Sequence, residues 1–110
     1  MPALATTDRL IERSPDTASA AIRALVACQT ALREDPSRAT EVGRRRFPPR
    51  EMGLIAAIVE RDLPFYDAAL PEAAIAGVTD FCRGMAVLAR DVPYAEVVAT
   101  QFCDLWRSAG

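Results

Sequence analysis

The sequence contains no histidine, no lysine and no asparagine, and its 13 basic residues are all arginine. Without imidazole or ammonium groups, histidine general bases, Ser-His-Asp and Cys-His nucleophile pairs and lysine Schiff bases are excluded together. Without asparagine there is no acceptor for N-glycosylation. There is no excess of positive charge either: the formal net charge is −2 and the pI about 5.1. No long-range field exists to gather nucleic acid or an anionic membrane, so neither is expected as a partner. Charged residues interrupt every apolar run well short of the roughly 18 residues that a membrane span needs, so no membrane insertion is expected. The first residues, Met1 to Arg9, lack a basic stretch followed by a long apolar one. The expectation is that the chain as written carries no export signal and stays in the cytoplasm.

What is present is enough for one folded unit. With 110 residues, 11.9 kDa and 51% hydrophobic residues, the chain is expected to form a single domain over 1–110 with one core. No repeat, low-complexity stretch or Gly/Ser-rich linker divides it.

Proline and aspartate punctuate segments that read at helical period. Thr6 or Thr7 caps a short helix through Leu10, Ile11 and Glu12, which Ser14-Pro15 ends. Ser14 then caps a long helix to about Glu34, with Pro15 at its first position and Asp16 in its first turn. That helix is apolar on nearly every face between Ala18 and Ala31 and is expected at the centre, with neighbours on both sides. A third helix follows Asp35-Pro36-Ser37, passes Ala39, Glu41 and Val42, and stops at Phe47-Pro48-Pro49. Met52, Ile55, Ile58 and Val59 form the core stripe of a fourth. The segment Asp62 to Asp67 reads as an aromatic loop. A fifth helix starts at Pro71-Glu72, places Ile75, Val78, Cys82 and Met85 on one core face, and ends near Asp91-Val92-Pro93. A last helix carries Tyr94, Val97, Val98, Phe102 and Leu105. No run alternates long enough to be a strand. The predicted fold is all-α, about six helices in one compact bundle.

Four groups of residues are candidates for chemistry. Arg44-Arg45-Arg46 offers guanidinium forks to a phosphate or an acidic partner, against the alternative of solvated charges that complement a helix C-terminus. Asp62 and Asp67 flank Phe65 and Tyr66 as a candidate ligand mouth, although aspartate is also a routine turn residue and nothing in the sequence raises either pKa. Cys28, Cys82 and Cys103 have no C-x-x-C spacing and an odd count. They read as three small buried hydrophobes, with a Cys82–Cys103 disulfide or a three-thiol zinc site as alternatives and their redox state open. Trp106, Tyr94 and Phe102 would cradle an apolar ligand or pack as core. No phosphate, dinucleotide or metal motif occurs. The chain is therefore expected not to be an enzyme, to use no cofactor or metal, and to have no catalytic residues.

The order of segments carries more. Thr6-Thr7-Asp8-Arg9-Leu10-Ile11, Ser14-Pro15-Asp16-Thr17, the Ala-rich helix to Asp35-Pro36, the loop Arg61 to Asp67, a helix through Phe81, Gly84 and Met85, Val92-Pro93-Tyr94 with Val97-Val98, and a closing Phe102 follow one another over almost the whole chain. This order resembles the C-terminal region of the substrate-binding proteins of ABC importers, in the nitrate, taurine, aliphatic-sulfonate and thiamine-pyrimidine-precursor group. A full member of the group is a two-lobed α/β clamshell about three times this length, preceded by a signal. The resemblance implies the helical part of one lobe, periplasmic in the complete protein. It also implies a non-catalytic role in transport of a small anionic or heteroaromatic solute, handed to an ABC permease. The group's ligand residues lie mainly in parts of the fold outside the matching segments, so no ligand-binding residue is carried over and the solute is not specified.

A lobe fragment on its own would leave apolar surface uncovered. A homo-oligomer is therefore expected, with the helix Pro15–Glu34 or the final helix Tyr94–Arg107 at a two-fold interface. The alternative function is an independent helical homo-oligomerising module for protein interaction.

Overall fold

In the computed structural model, which describes residues 3–107, every regular element is helical. The described residues fall into two compact units, 3–68 and 69–107. The division at Ala68-Ala69 is marked by no proline, glycine or serine, whereas the length alone suggests one domain.

The first unit begins with α1 (Asp8–Arg13), opened by Thr7, whose Oγ1 accepts a hydrogen bond from the Leu10 amide at 3.2 Å. Such a cap stabilises a helix by about 1 kcal/mol. Ser14 closes α1 through its amide, which donates to the Leu10 carbonyl, and is at once the N-cap of α2 (Pro15–Glu34). Proline suits the first position of α2 because its missing N–H would find no helical partner there. The long helix packs against α1 and against α3 (Ser37–Arg46). It has neighbours, but it is not a buried central helix: Ala18 alone is buried, Ile22, Val26 and Leu32 are half-buried, and Leu25 faces outward. Alanines fill the faces that looked continuously apolar, and small side chains need no partner helix to cover them.

Between α2 and α3, Asp35 accepts hydrogen bonds from the Ser37 amide at 3.1 Å and its hydroxyl at 2.5 Å. These two bonds hold the Asp35 carboxyl below its ordinary pKa. Phe47 is extended and ends α3, Pro48 continues in polyproline geometry, and a single turn of 3₁₀ helix (Pro49–Glu51) leads into α4 (Met52–Asp62). Helices α3 and α4 approach closely at Gly43, which is buried. A Cβ built there would lie 3.2 Å from Ile55 Cδ1 and 3.4 Å from the end of Met52. The inner stripe of α4 is Met52, Ile55 and Val59; Ile58, expected with them, is exposed together with Leu54. A second 3₁₀ turn (Leu63–Phe65) follows, and the Arg33 guanidinium at the end of α2 donates to the Tyr66 carbonyl just beyond it.

The second unit contains α5 (Glu72–Gly84), α6 (Tyr94–Val97), a 3₁₀ turn (Thr100–Phe102) and α7 (Cys103–Arg107). Helix α5 stops seven residues before the expected end near Asp91. The Ala86 amide donates to the Arg83 carbonyl and the Val87 amide to the Cys82 carbonyl, which is a Schellman closure with Ala86 in the left-handed region, φ 58°. Glycine normally takes that position, so the sequence carries no obvious stop signal. A side chain in this region costs about 1 kcal/mol. Replacing Ala86 with glycine is expected to stabilise the protein by about 0.5 kcal/mol after allowing for the freer unfolded chain, raising the melting temperature by a few degrees. A calorimetric scan that shows no rise would contradict the strained closure.

The expected final helix is two short ones. Val98 is extended between α6 and the 3₁₀ turn, because the β-branched pair Val97-Val98 is a poor helix continuation. The break turns Val98, Phe102 and Trp106 inward, and with Thr79 they are the buried side chains of this unit. Two exposed ion pairs, Arg83–Asp91 at 2.7 Å and Arg90–Glu96 at 2.9 Å, span the connection from α5 to α6.

Candidate functional site

The three arginines of Arg44-Arg45-Arg46 close α3 and are exposed. Arg45 pairs with Glu41 one turn back, 3.2 Å apart and largely in solvent. This is the arrangement of a charged helix end, in which a surface pair contributes a few tenths of a kcal/mol. Among the described residues no buried side-chain nitrogen or oxygen is left without a partner.

The candidate mouth around Phe65 and Tyr66 resolves into a turn. Asp62 is gripped by its neighbour Arg61 through two bonds of 2.6 and 3.0 Å. This grip lowers the carboxyl pKa and raises that of the guanidinium. A carboxylate held ionised in this way is a poor general acid at neutral pH. Phe65 projects into solvent, while the Tyr66 backbone is tied to α2 through Arg33.

Cys28 is exposed, whereas Cys82 and Cys103 are half-buried, and all three are free thiols. The reading as three buried hydrophobes is therefore corrected: Cys28 lies on an exposed, alanine-rich part of α2, and Cys82 and Cys103 are only partly covered. No Cys82–Cys103 bond is formed. No cluster of three or more His, Cys, Asp or Glu side chains capable of holding a metal ion occurs among the described residues.

Trp106 and Phe102 are buried core residues. Tyr94 is half-buried, and its hydroxyl donates to the Leu70 carbonyl at 2.5 Å, pinning the segment before α5 to α6. These aromatics close on the unit's interior, with no cradle among them. Two shallow, open depressions lie in the first unit. One of about 270 Å³ is bordered by Thr7, Arg9, Leu10, Arg13 and Ser14, and another of about 200 Å³ by Pro36, Ser37, Thr40, Ala56 and Glu60. Both fall below the usual size of a small-molecule site.

What the molecule presents instead is apolar surface. On α5 the inward residues are Ile75, Thr79 and Cys82, whereas Val78 and Met85, expected on that face, are 58% and 62% exposed, and Phe81 is 68% exposed. Two apolar arcs lie side by side on this helix, one turned inward and one outward. The clue was legible: Ala74, Val78, Phe81 and Met85 make a complete stripe of their own at spacings of four, three and four. Leu54 and Ile58 form a shorter outward pair on α4.

Comparisons with protein-family models, with curated proteins and with solved structures found no match. No helix among the described residues is long and apolar enough to cross a membrane.

Proposed function

We propose that this chain is a non-catalytic helical module for protein interaction that associates with copies of itself. The observation that carries the reading is the apolar surface left uncovered. Large apolar side chains stand exposed in each unit, Leu54 and Ile58 on α4 and Val78, Phe81 and Met85 on α5. Large exposed apolar patches of this kind mark interaction surfaces.

The same outward faces favour a second reading. Helices that cover other parts of a lobe carry apolar stripes on the side they bury, so the chain would serve as the C-terminal helical part of a substrate-binding protein of an ABC importer. In that setting it contributes to a periplasmic binding protein for a small anionic or heteroaromatic solute of the nitrate, sulfonate or taurine kind, which is passed to a permease.

Light scattering after size-exclusion chromatography, with thermal melting followed by circular dichroism, separates the two. A species of defined stoichiometry above one that melts cooperatively supports the self-associating module. An aggregating or non-cooperative chain supports the lobe segment and counts against the module.

A further inference from the structure

The connection from α5 to α6, residues 85–93, contains no buried residue, and only Leu88 and Val92 are half-covered. Apolar burial therefore does little to hold it in place, and a segment of this kind belongs to the low-stability end of a fold, where local opening occurs. Near its start stands the strained residue Ala86, at φ 58°, whose strain any opening relieves.

What holds the segment is charge. Arg83 donates from Nη1 to Asp91 Oδ1 at 2.7 Å. Arg90 donates from Nη2 to Glu96 Oε2 at 2.9 Å and from Nη1 to the Asp91 carbonyl at 3.0 Å. The two pairs interlock at Asp91, whose carboxylate takes Arg83 and whose carbonyl takes Arg90, so the tie runs from the last turn of α5 to α6. Arg83 serves twice: its carbonyl accepts the Ala86 amide in the Schellman closure, while its guanidinium holds Asp91.

We infer that residues 85–93 form a salt-sensitive strap: the interlocked pairs keep the strained turn at Ala86 closed, and rising ionic strength releases it as a local unit while the helices on either side stay folded. The four side chains are between 47% and 77% exposed, so mobile ions reach and screen them. The rest of the unit is held by other means. Tyr94 is tied to the Leu70 carbonyl by an uncharged, part-buried hydrogen bond, and Val98, Phe102 and Trp106 are held by burial. Neither depends on ion pairing, so α6 and α7 keep their places when the strap opens.

Amide hydrogen exchange followed by NMR on the whole chain tests this at Val87 and Leu88, whose amides donate to the Cys82 carbonyl. Thr79, within α5 and buried, is the internal reference. Exchange at Val87 and Leu88, corrected for the intrinsic rate, is expected to speed up about threefold between about 0.01 M and about 1 M sodium chloride, with Thr79 unchanged; over that range the Debye length falls from about 30 Å to about 3 Å. Arg83→Gln with Glu96→Gln removes both pairs. It is expected to raise exchange about fivefold in low salt and to abolish most of the salt response. Ala86→Gly relieves the turn and keeps the pairs, so it is expected to slow exchange at the same amides about twofold at every salt concentration. Exchange at Val87 and Leu88 that is indifferent to salt and to the double substitution overturns the strap. So does a response shared equally by Thr79, which would place the opening in the whole unit. Where the double variant does not fold, the salt response of the parent chain decides alone.

Discussion

Trp106→Ala is expected to lower the unfolding free energy by about 3 kcal/mol. Trp106 is the largest of the few buried side chains in the second unit, alongside Val98, Phe102 and Thr79. Removing an indole from such a place loses its transfer free energy and leaves a cavity that a thin core cannot refill. A unit of about 40 residues has little stability in reserve, so the loss should appear as a fall in helicity at ambient temperature as well as a shift in the urea midpoint. Trp106→Phe keeps most of the volume and should cost about 1 kcal/mol. Urea titration followed by circular dichroism decides the matter. A change below 1 kcal/mol for the alanine variant would mean that Trp106 does not hold the unit together.

The second large effect is expected at Gly43, where α3 and α4 come closest. Alanine gains about 1 kcal/mol of helix propensity there, and the atoms nearest its methyl are the ends of two flexible side chains, Ile55 Cδ1 and the Met52 thioether. Those can shift by a few tenths of an ångström, so Gly43→Ala should stay within about 0.5 kcal/mol of the parent. Gly43→Leu has no such escape. Its branched end would enter the space that Ile55 and Met52 occupy, at an expected cost of about 2–3 kcal/mol. The contrast between the two variants is the measurement. Equal stability would show that the spacing of α3 and α4 is not set at Gly43.

The parts of this fold that could be read from the sequence are those specified by local chemistry. Thr7, Ser14-Pro15, Asp35-Pro36-Ser37 and Phe47-Pro48-Pro49 each act on their own backbone, and all mark helix boundaries in the structure. The parts that escaped depend on partners distant in sequence or on an unusual residue at a special position. The end of α5 has no local signal because Ala86 stands where glycine would announce it. The break at Val98 has only a weak one, because its cause is a preference of modest size that tertiary burial of Phe102 and Trp106 decides. On α5 the periodicity was visible, but periodicity locates an apolar arc without saying whether it is the one turned inward; Val78 and Met85 belong to the other arc. Hydrophobic residues make up 51% of the chain, and composition alone does not say which of the larger ones, such as Leu54, Phe81 and Met85, stand outside.

The single residue between α1 and α2 has a consequence for where this chain can change in length. Ser14 ends one helix and begins the next with no residue to spare. Adding or deleting one position there would rotate α1 about its axis by roughly 100° and turn Ile11 away from α2. The corner is a fixed joint, intolerant of insertions. Length variation, or an inserted tag or probe, belongs in the irregular stretch between Ala86 and Pro93, where the joining contacts are side-chain ion pairs that a longer loop can re-form.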